Sequence, residues 1–220
     1  MFVVCSRVEQ TEQVAVVCTC IEAITKFHPN EKIVVVDSAS PDKSYFEKLK
    51  KINPKVIIED ANNTAYEAGA WWYAFDKYPN EETYCFLQDS LHLQRSIERF
   101  FPKNDEVTIF NNRATNSGWM HDFGETRSWA IANADLFGYE LSSDDFKWKK
   151  RFPIAIFNSF LATNNLMKRM STRRLNKILP TNKTGSKAFE RMWGVVFKHE
   201  RQHMKKIPSK YFKKHFGGRE

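Results

Sequence analysis

Four short, unbroken apolar runs separated by helix-periodic segments constrain this chain most. The runs are Phe2-Val3-Val4-Cys5, Ile33-Val34-Val35-Val36, Val56-Ile57-Ile58 and Tyr84-Cys85-Phe86-Leu87. Residues 11–27 place Val14, Val17, Cys18, Ile21 and Ile24 at helical spacing, with Thr11 as the expected N-cap and His28-Pro29-Asn30 as the stop. Helices are also expected over 44–52 and 64–78. Runs without apolar/polar alternation suit strands covered on both faces, so the sequence predicts an α/β fold with a mainly parallel sheet flanked by helices. Ligands bind such sheets outside the carboxyl ends of the strands. Those ends are Ser6-Arg7, Asp37-Ser38, residues 60–63 and Gln88-Asp89-Ser90.

The second half is less regular. A strand is expected over 107–110, mixed signals run over 154–170, and a helix is expected over 188–206. Residues 111–125 read as a polar loop with Trp119, His121, Asp122 and Glu125. At 220 residues, with no clear linker or repeat, the chain is expected to be one domain. No apolar run reaches 18 residues and the first residues lack a basic signal-peptide start, so a cytoplasmic protein without a transmembrane segment is expected. Cys5, Cys18, Cys20 and Cys85 include no C-x-x-C pair and read as free thiols.

Charge is unevenly spread. Residues 147–220 hold 20 Lys/Arg and 3 Asp/Glu, net +17, whereas residues 1–146 hold 14 and 23, net −9. A basic second half suits a polyanionic ligand, an acidic surface or nucleic acid, and suits a solvated basic face equally well.

Three blocks carry a family resemblance. Val34-Val35-Val36-Asp37-Ser38-Ala39-Ser40-Pro41-Asp42 resembles the second-strand segment of GT-A glycosyltransferases, in which the Asp meets the nucleoside. Asn62-Asn63-Thr64-Ala65-Tyr66-Glu67-Ala68-Gly69-Ala70 resembles the Asn-led helix that follows. Phe86-Leu87-Gln88-Asp89-Ser90 stands where the family has Asp-x-Asp, which binds metal and diphosphate. The resemblance covers about residues 1–95, the expected nucleotide-sugar half; residues 96–220 would form the acceptor side and a basic tail. The chain is also similar to small glycosyltransferases of large DNA viruses that infect algae.

The resemblance implies transfer of a hexose or deoxyhexose from a UDP-sugar to a glycan acceptor, with Mn²⁺ or Mg²⁺ on the diphosphate. Ser6, Arg7, Asp37 and Asn63 are then candidates for holding the nucleotide, and Asp89 for the metal. Gln88-Asp89-Ser90 keeps one carboxylate only; some family members supply a later His, and His199 is the candidate here. Lys or Arg could instead neutralise the phosphates. Asp89 could also cap a helix starting near Leu91. If transfer inverts the anomeric centre, a carboxylate must take the acceptor proton, and Asp122, Glu125 and Glu190 are candidates. If transfer retains it, the leaving diphosphate can do so.

Two rival readings rest on other residues. His199-Glu200-Arg201-Gln202-His203 matches the H-E-x-x-H pattern of zinc proteases, which needs both His on one helical face. Lys205, Lys206, Lys210, Lys213 and Lys214, interleaved with Tyr211, Phe212 and Phe216, could instead form a nucleic-acid or acidic-surface binding module. No nucleic-acid motif accompanies them, so no nucleic-acid partner is expected. A nucleotidyltransferase would need a Gly-rich first loop, which Ser6-Arg7-Val8-Glu9-Gln10 lacks.

Overall fold

The structure, a computed structural model, describes residues 1–111 and 155–215. The four apolar runs form β1 (Phe2–Ser6), β2 (Ile33–Asp37), β3 (Ile57–Asp60) and β4 (Thr83–Gln88). They alternate with α1 (Thr11–Phe27), α2 (Tyr45–Ile52) and α3 (Tyr66–Lys77). After β4 come a short β5 (Leu91–Leu93), β6 (Glu106–Asn111) and β7 (Phe160–Thr163). Then follow α4 (Asn164–Thr172), α5 (Lys183–His199), β8 (His203–Pro208) and β9 (Phe212–Lys214).

Seven strands form one sheet in the order β3-β2-β1-β4-β7-β6-β8. The β1–β4 pairs within it are parallel, β7 runs antiparallel to both β4 and β6, and β8 is parallel to β6. β5 and β9 pair antiparallel in a separate two-stranded sheet.

Strand side chains alternate between two buried layers, as period 2 requires. Val3, Val34, Val36 and Phe86 face α3 and α5, packing with Trp71, Phe75, Trp193 and Phe197. Phe2, Val4, Val35 and Leu87 face the other way, onto Val17, Ile21 and Ile24 of α1 and Leu49 of α2. Trp71 is wholly buried and its indole donates to the Asn158 carbonyl at 2.9 Å. Truncating a Trp so placed costs about 3–5 kcal/mol.

Several expectations are corrected. α1 is capped by Gln10, with the Gln13 side chain folding back to accept the Glu9 and Gln10 N–H groups, rather than by Thr11. The helix expected over 188–206 stops at His199: Arg201 takes a left-handed φ of 53° and β8 follows. Leu91 begins a strand, not a helix, so Asp89 caps none. All four cysteines are free thiols. No helix among the described residues is long and apolar enough to cross a membrane.

Candidate functional site

Strand register brings the expected residues into one row. Ser6 lies opposite Asp37, Asp37 opposite Asp60, and Cys5 opposite Gln88, all at the carboxyl edge of the parallel strands. Asp89 follows immediately, its N–H donating to the Cys5 carbonyl at 3.2 Å. Ser6, Asp37 and Asp89 are buried and Asn63 is half-buried beside them.

Asp37 organises one end of the row. Its Oδ1 accepts the Tyr45 hydroxyl at 2.6 Å and the Ser40 hydroxyl; its Oδ2 accepts the Ser40 N–H at 3.1 Å and the Lys43 ammonium. Burial pushes its pKa up, but the hydrogen bonds from Lys43, Ser40 and Tyr45 outweigh that and leave it below the ordinary value. Lys43 also reaches Asp60 at 2.6 Å, so it ties the ends of β2 and β3 together. Asp37 thus holds the turn after β2.

Asn63 is held as firmly. Its amide donates to Ser38 Oγ at 2.9 Å and to the Tyr66 carbonyl at 2.6 Å, and its Oδ1 accepts the Ala65 N–H at 2.9 Å. Ala39, Asn62 and Tyr66 around it all have positive φ, of 58°, 46° and 53°. Such strain in non-glycine residues costs about 1–3 kcal/mol each and gathers at binding sites.

The other end of the row centres on Gln88. Its Nε2 donates to Glu67 Oε1 at 2.5 Å, and its Oε1 accepts the Lys214 ammonium and the Ser90 hydroxyl, the latter at 3.2 Å. Glu67 Oε2 also accepts the Ser186 hydroxyl at 3.0 Å and the Asn158 amide at 3.4 Å. Asn158 sits in a left-handed pair with Phe157, with φ values of 52° and 57°. The indoles of Trp71 and Trp193 hold it there, the second donating to Asn158 Oδ1 at 3.1 Å. Below Asp89, His92 Nε2 lies 3.1 Å from the Asp89 carbonyl and its ring stacks on His215 at 4.1 Å. Burial, then the neighbouring His215, pushes the His92 pKa down to about 4, so its ring is neutral at pH 7.

Other expected residues fall elsewhere. Arg7 is exposed and pairs with Glu9 at 2.9 Å on the rim. His199 is not brought to Asp89. It lies 13 residues after Ser186 on α5, about 20 Å along the helix at 1.5 Å per residue. The strand after it starts with His203 opposite Glu106, at the amino edge of the sheet. Glu190 is one turn beyond Ser186 and half-buried, and its carbonyl accepts the Ala155 N–H at 3.0 Å. Asp122 and Glu125, with Trp119, His121 and Phe216, lie outside the described residues.

The H-E-x-x-H motif does not form the helical site it would need. His199 ends a helix and His203 begins a strand, so H-E-x-x-H has no shared helical face. Glu200 instead pairs with Arg169 at 2.9 Å and Arg173 at 2.7 Å. Tyr211 and Phe212 are buried against Phe100 and Phe110 and are not presented for base stacking.

Whether these side chains suit a divalent ion can be tested on their chemistry. Mn²⁺ and Mg²⁺ want several hard oxygen ligands, carboxylates foremost. Among the described residues no three His, Cys, Asp or Glu gather to hold one. At the expected position Asp89 is flanked by two neutral side chains, and both of these accept from the Lys214 ammonium. Among the described residues this donor set is too small to hold a dication by itself.

No family model and no curated protein sequence matches the chain. Solved structures do match. Glucosyl-3-phosphoglycerate synthase from Mycobacterium tuberculosis, in complex with Mg²⁺ and UDP, superposes with a TM-score of 0.56 at 10% identity over 97% of this chain and 70% of its own. The mannosyltransferase PcManGT from Pyrobaculum calidifontis, with GDP-Man and Mn²⁺, gives 0.56 at 14% identity over 99% of this chain and 57% of its own. The chain has the GT-A glycosyltransferase fold. The galactosyltransferase LgtC, with donor and acceptor sugar analogues, gives 0.54 at 9% identity over 95% and 74%. The chain spans only 38% of the bifunctional glycosyltransferase WbbM and 35% of S. aureus TarS, so some GT-A neighbours are much longer.

Lys43, Tyr45, Asn158 and Ser186 were not singled out from sequence, and Glu67 and Lys214 were named there without this role. Lys43 and Tyr45 were findable, because they follow Asp37 by six and eight residues, in the turn that it organises and at the start of α2. Glu67 stands inside the block that resembles the family. Asn158, Ser186 and Lys214 reach the site only through long-range pairing and leave no local signal.

Proposed function

We propose that the protein is a glycosyltransferase that moves a hexose or deoxyhexose from a UDP-sugar to a glycan acceptor. The observation that supports this best is the convergence of Ser6, Asp37, Asn63 and Asp89 at the carboxyl edge of a GT-A sheet. In this reading the uridine lies over the turn after β2. Ser6 and the Asp37–Ser40–Lys43 turn line its pocket, Asn63 closes it and Arg7 reaches in from the rim. The diphosphate lies over the turn between β4 and β5, and the Asp89 carboxylate accepts hydrogen bonds from donor hydroxyls.

Transfer breaks the bond between the anomeric carbon and the β-phosphate oxygen, whose electron pair stays with the UDP. The acceptor oxygen bonds to the anomeric carbon and gives up its proton. Glu190, one helical turn from Ser186, is the described candidate to take it if the centre inverts, and Asp122 and Glu125 are the others. In a retaining reaction the departing diphosphate takes it. Glu67 acts through others, fixing Gln88, Asn158 and Ser186 around the sugar.

The test is release of UDP from a panel of UDP-sugars offered with mono- and oligosaccharide acceptors. Turnover with at least one donor supports the reading. Failure of UDP and every UDP-sugar to bind would refute it.

A further inference from the structure

We infer that Arg95, Arg99 and Lys210 form a binding surface for a phosphate monoester, at the end of the β5–β9 ribbon away from Ser90 and Lys214. This surface is independent of the glycosyltransferase reading and gives a place to Lys210 of the basic tail.

Three cations from separate points of the chain meet at one ring. Arg95 follows β5, Arg99 lies in the 3-10 turn Glu98–Phe100, and Lys210 lies in the 3-10 turn Ser209–Tyr211. The Arg95 and Arg99 guanidinium carbons and the Lys210 ammonium stand 6.0, 5.0 and 5.9 Å from the centroid of the Tyr211 ring. No two of these charges can then be more than about 12 Å apart, a distance comparable with the ~8 Å screening length of physiological salt. Arg99 also lies 4.6 Å from the Phe100 ring, and the Phe100 and Tyr211 rings meet edge to face at 5.1 Å.

The frame beneath them is fixed by the backbone. The Gln94 N–H donates to the Tyr211 carbonyl at 2.8 Å and the Phe100 N–H to the Ile97 carbonyl at 2.9 Å. The Thr108 hydroxyl donates to the Phe100 carbonyl at 2.7 Å, which ties the turn to β6. Tyr211 itself is only 8% exposed. The ring is thus a set floor, and the three charged groups stand around it.

The partners that these groups lack point to the ligand. Arg95, Arg99 and Lys210 are all exposed, and among the described residues none of them makes a side-chain hydrogen bond or an ion pair, with neighbouring Glu98 included. The Tyr211 hydroxyl likewise has no hydrogen-bond partner among the described residues. Contact with a ring face steers a guanidinium without using up its N–H donors. Two planar N–H forks, an ammonium and a hydroxyl therefore gather with no acceptor among them. A phosphate monoester offers three terminal oxygens and close to two negative charges, and each Arg fork can take its oxygens in pairs. A lone carboxylate, with two oxygens and one charge, would leave most of these donors unmet. A nucleic-acid strand carries one charge per phosphate and gains much of its affinity by stacking bases on open aromatic faces. Tyr211 and Phe212 are buried, so that gain is missing here.

The experiment follows the Arg Nε–Hε signals of the ¹⁵N-labelled full chain by NMR at pH 7.5 during titration with inorganic phosphate, with NaCl of equal ionic strength as the blank. Arg99→Gln and Lys210→Gln are titrated alongside, with circular dichroism confirming that each folds and UDP titration checking the donor site. The Arg95 and Arg99 signals are expected to move with a Kd of about 1–10 mM. Each variant is expected to weaken phosphate about 3- to 10-fold while UDP affinity changes less than about twofold. Signals that move no more than in NaCl, or variants that bind phosphate as the wild type does, would overturn the inference. So would a single-stranded DNA oligonucleotide that moves the same signals at a lower concentration of phosphate groups. Two further arms separate the sources of the monoester. Sedimentation with phosphatidylcholine vesicles that contain phosphatidic acid, lost in Arg99→Gln, places it on a lipid headgroup; binding of glucose 6-phosphate without sedimentation places it on a soluble ester. Failure of both would overturn the inference, whereas failure of the wild type to bind UDP bears on the glycosyltransferase reading alone.

Discussion

A β-carbon on Gly69 would lie 2.1 Å from Asn63 Oδ1, well inside contact distance. The glycine in the first turns of α3 is therefore what lets the Asn63 side chain fold over the helix start and reach Ser38. It would also meet the Ala65 β-carbon at 2.8 Å. Gly69→Ala is expected to displace Asn63, to lower stability by about 1–3 kcal/mol and to weaken UDP binding. Thermal unfolding and nucleotide titration check both. Unchanged affinity in a folded variant would remove Asn63 from the site.

Lys43 is the cation that keeps Asp37 ionised in a buried turn. A carboxylate with a lowered folded-state pKa contributes stability above its unfolded pKa of about 3.9 and loses it as pH falls through the folded value. Lys43→Met is expected to cost about 1–3 kcal/mol at pH 7, a range set low because Lys43 is one-third exposed. The gap between variant and wild type should narrow as pH falls below 4. Unfolding curves from pH 7 to pH 2 check this; a gap constant with pH would deny the coupling.

Asp89 and His199 separate the site from a distant residue. Asp89→Asn keeps the shape of a buried side chain and removes its charge, and is expected to lower transfer by at least about 100-fold with the fold intact. His199→Ala, at the far end of α5, is expected to leave UDP binding and turnover within about twofold. Steady-state rates measured on both variants decide the matter.

Glu67 accepts from three donors: the amides of Gln88 and Asn158 and the hydroxyl of Ser186. Glu67→Gln puts an amide N–H against at least one of them, at a cost of about 1–3 kcal/mol. Turnover should fall more than UDP affinity, since the residue positions groups around the sugar and not the uridine. A loss of UDP affinity as large as the loss of turnover would count against that assignment.

Local pattern alone determined the first ninety residues. β1 and β2 bury both faces, and so does the middle of β4, so their apolar runs are continuous; β3, at the sheet edge, is half-buried, and each helix between the strands shows its own period. The strand ends then followed, and with them Ser6, Asp37 and Asp89. Gly69 and Asn63 stood together in one helix start, so their block was legible although their contact was not.

Tertiary structure decided the rest. β8 and β9 are short strands that exist because β6 and β5 offer them backbone partners, and sequence near Lys205 or Lys214 does not reveal those partners. Residues 200–202 break a helix whose periodicity seemed able to continue, because Glu200 is drawn to Arg169 and Arg173 and Arg201 turns left-handed. That break sends His199 and His203 to the amino edge of the sheet. The same chain then crosses to the carboxyl edge along β8 and returns as β9, bringing Lys214 to Ser90 although they are 124 residues apart in the sequence. Which charged side chain stands at the turn between β4 and β5 is a property of that pairing, since hydrogen bonds between distant backbones carry no mark in either segment alone.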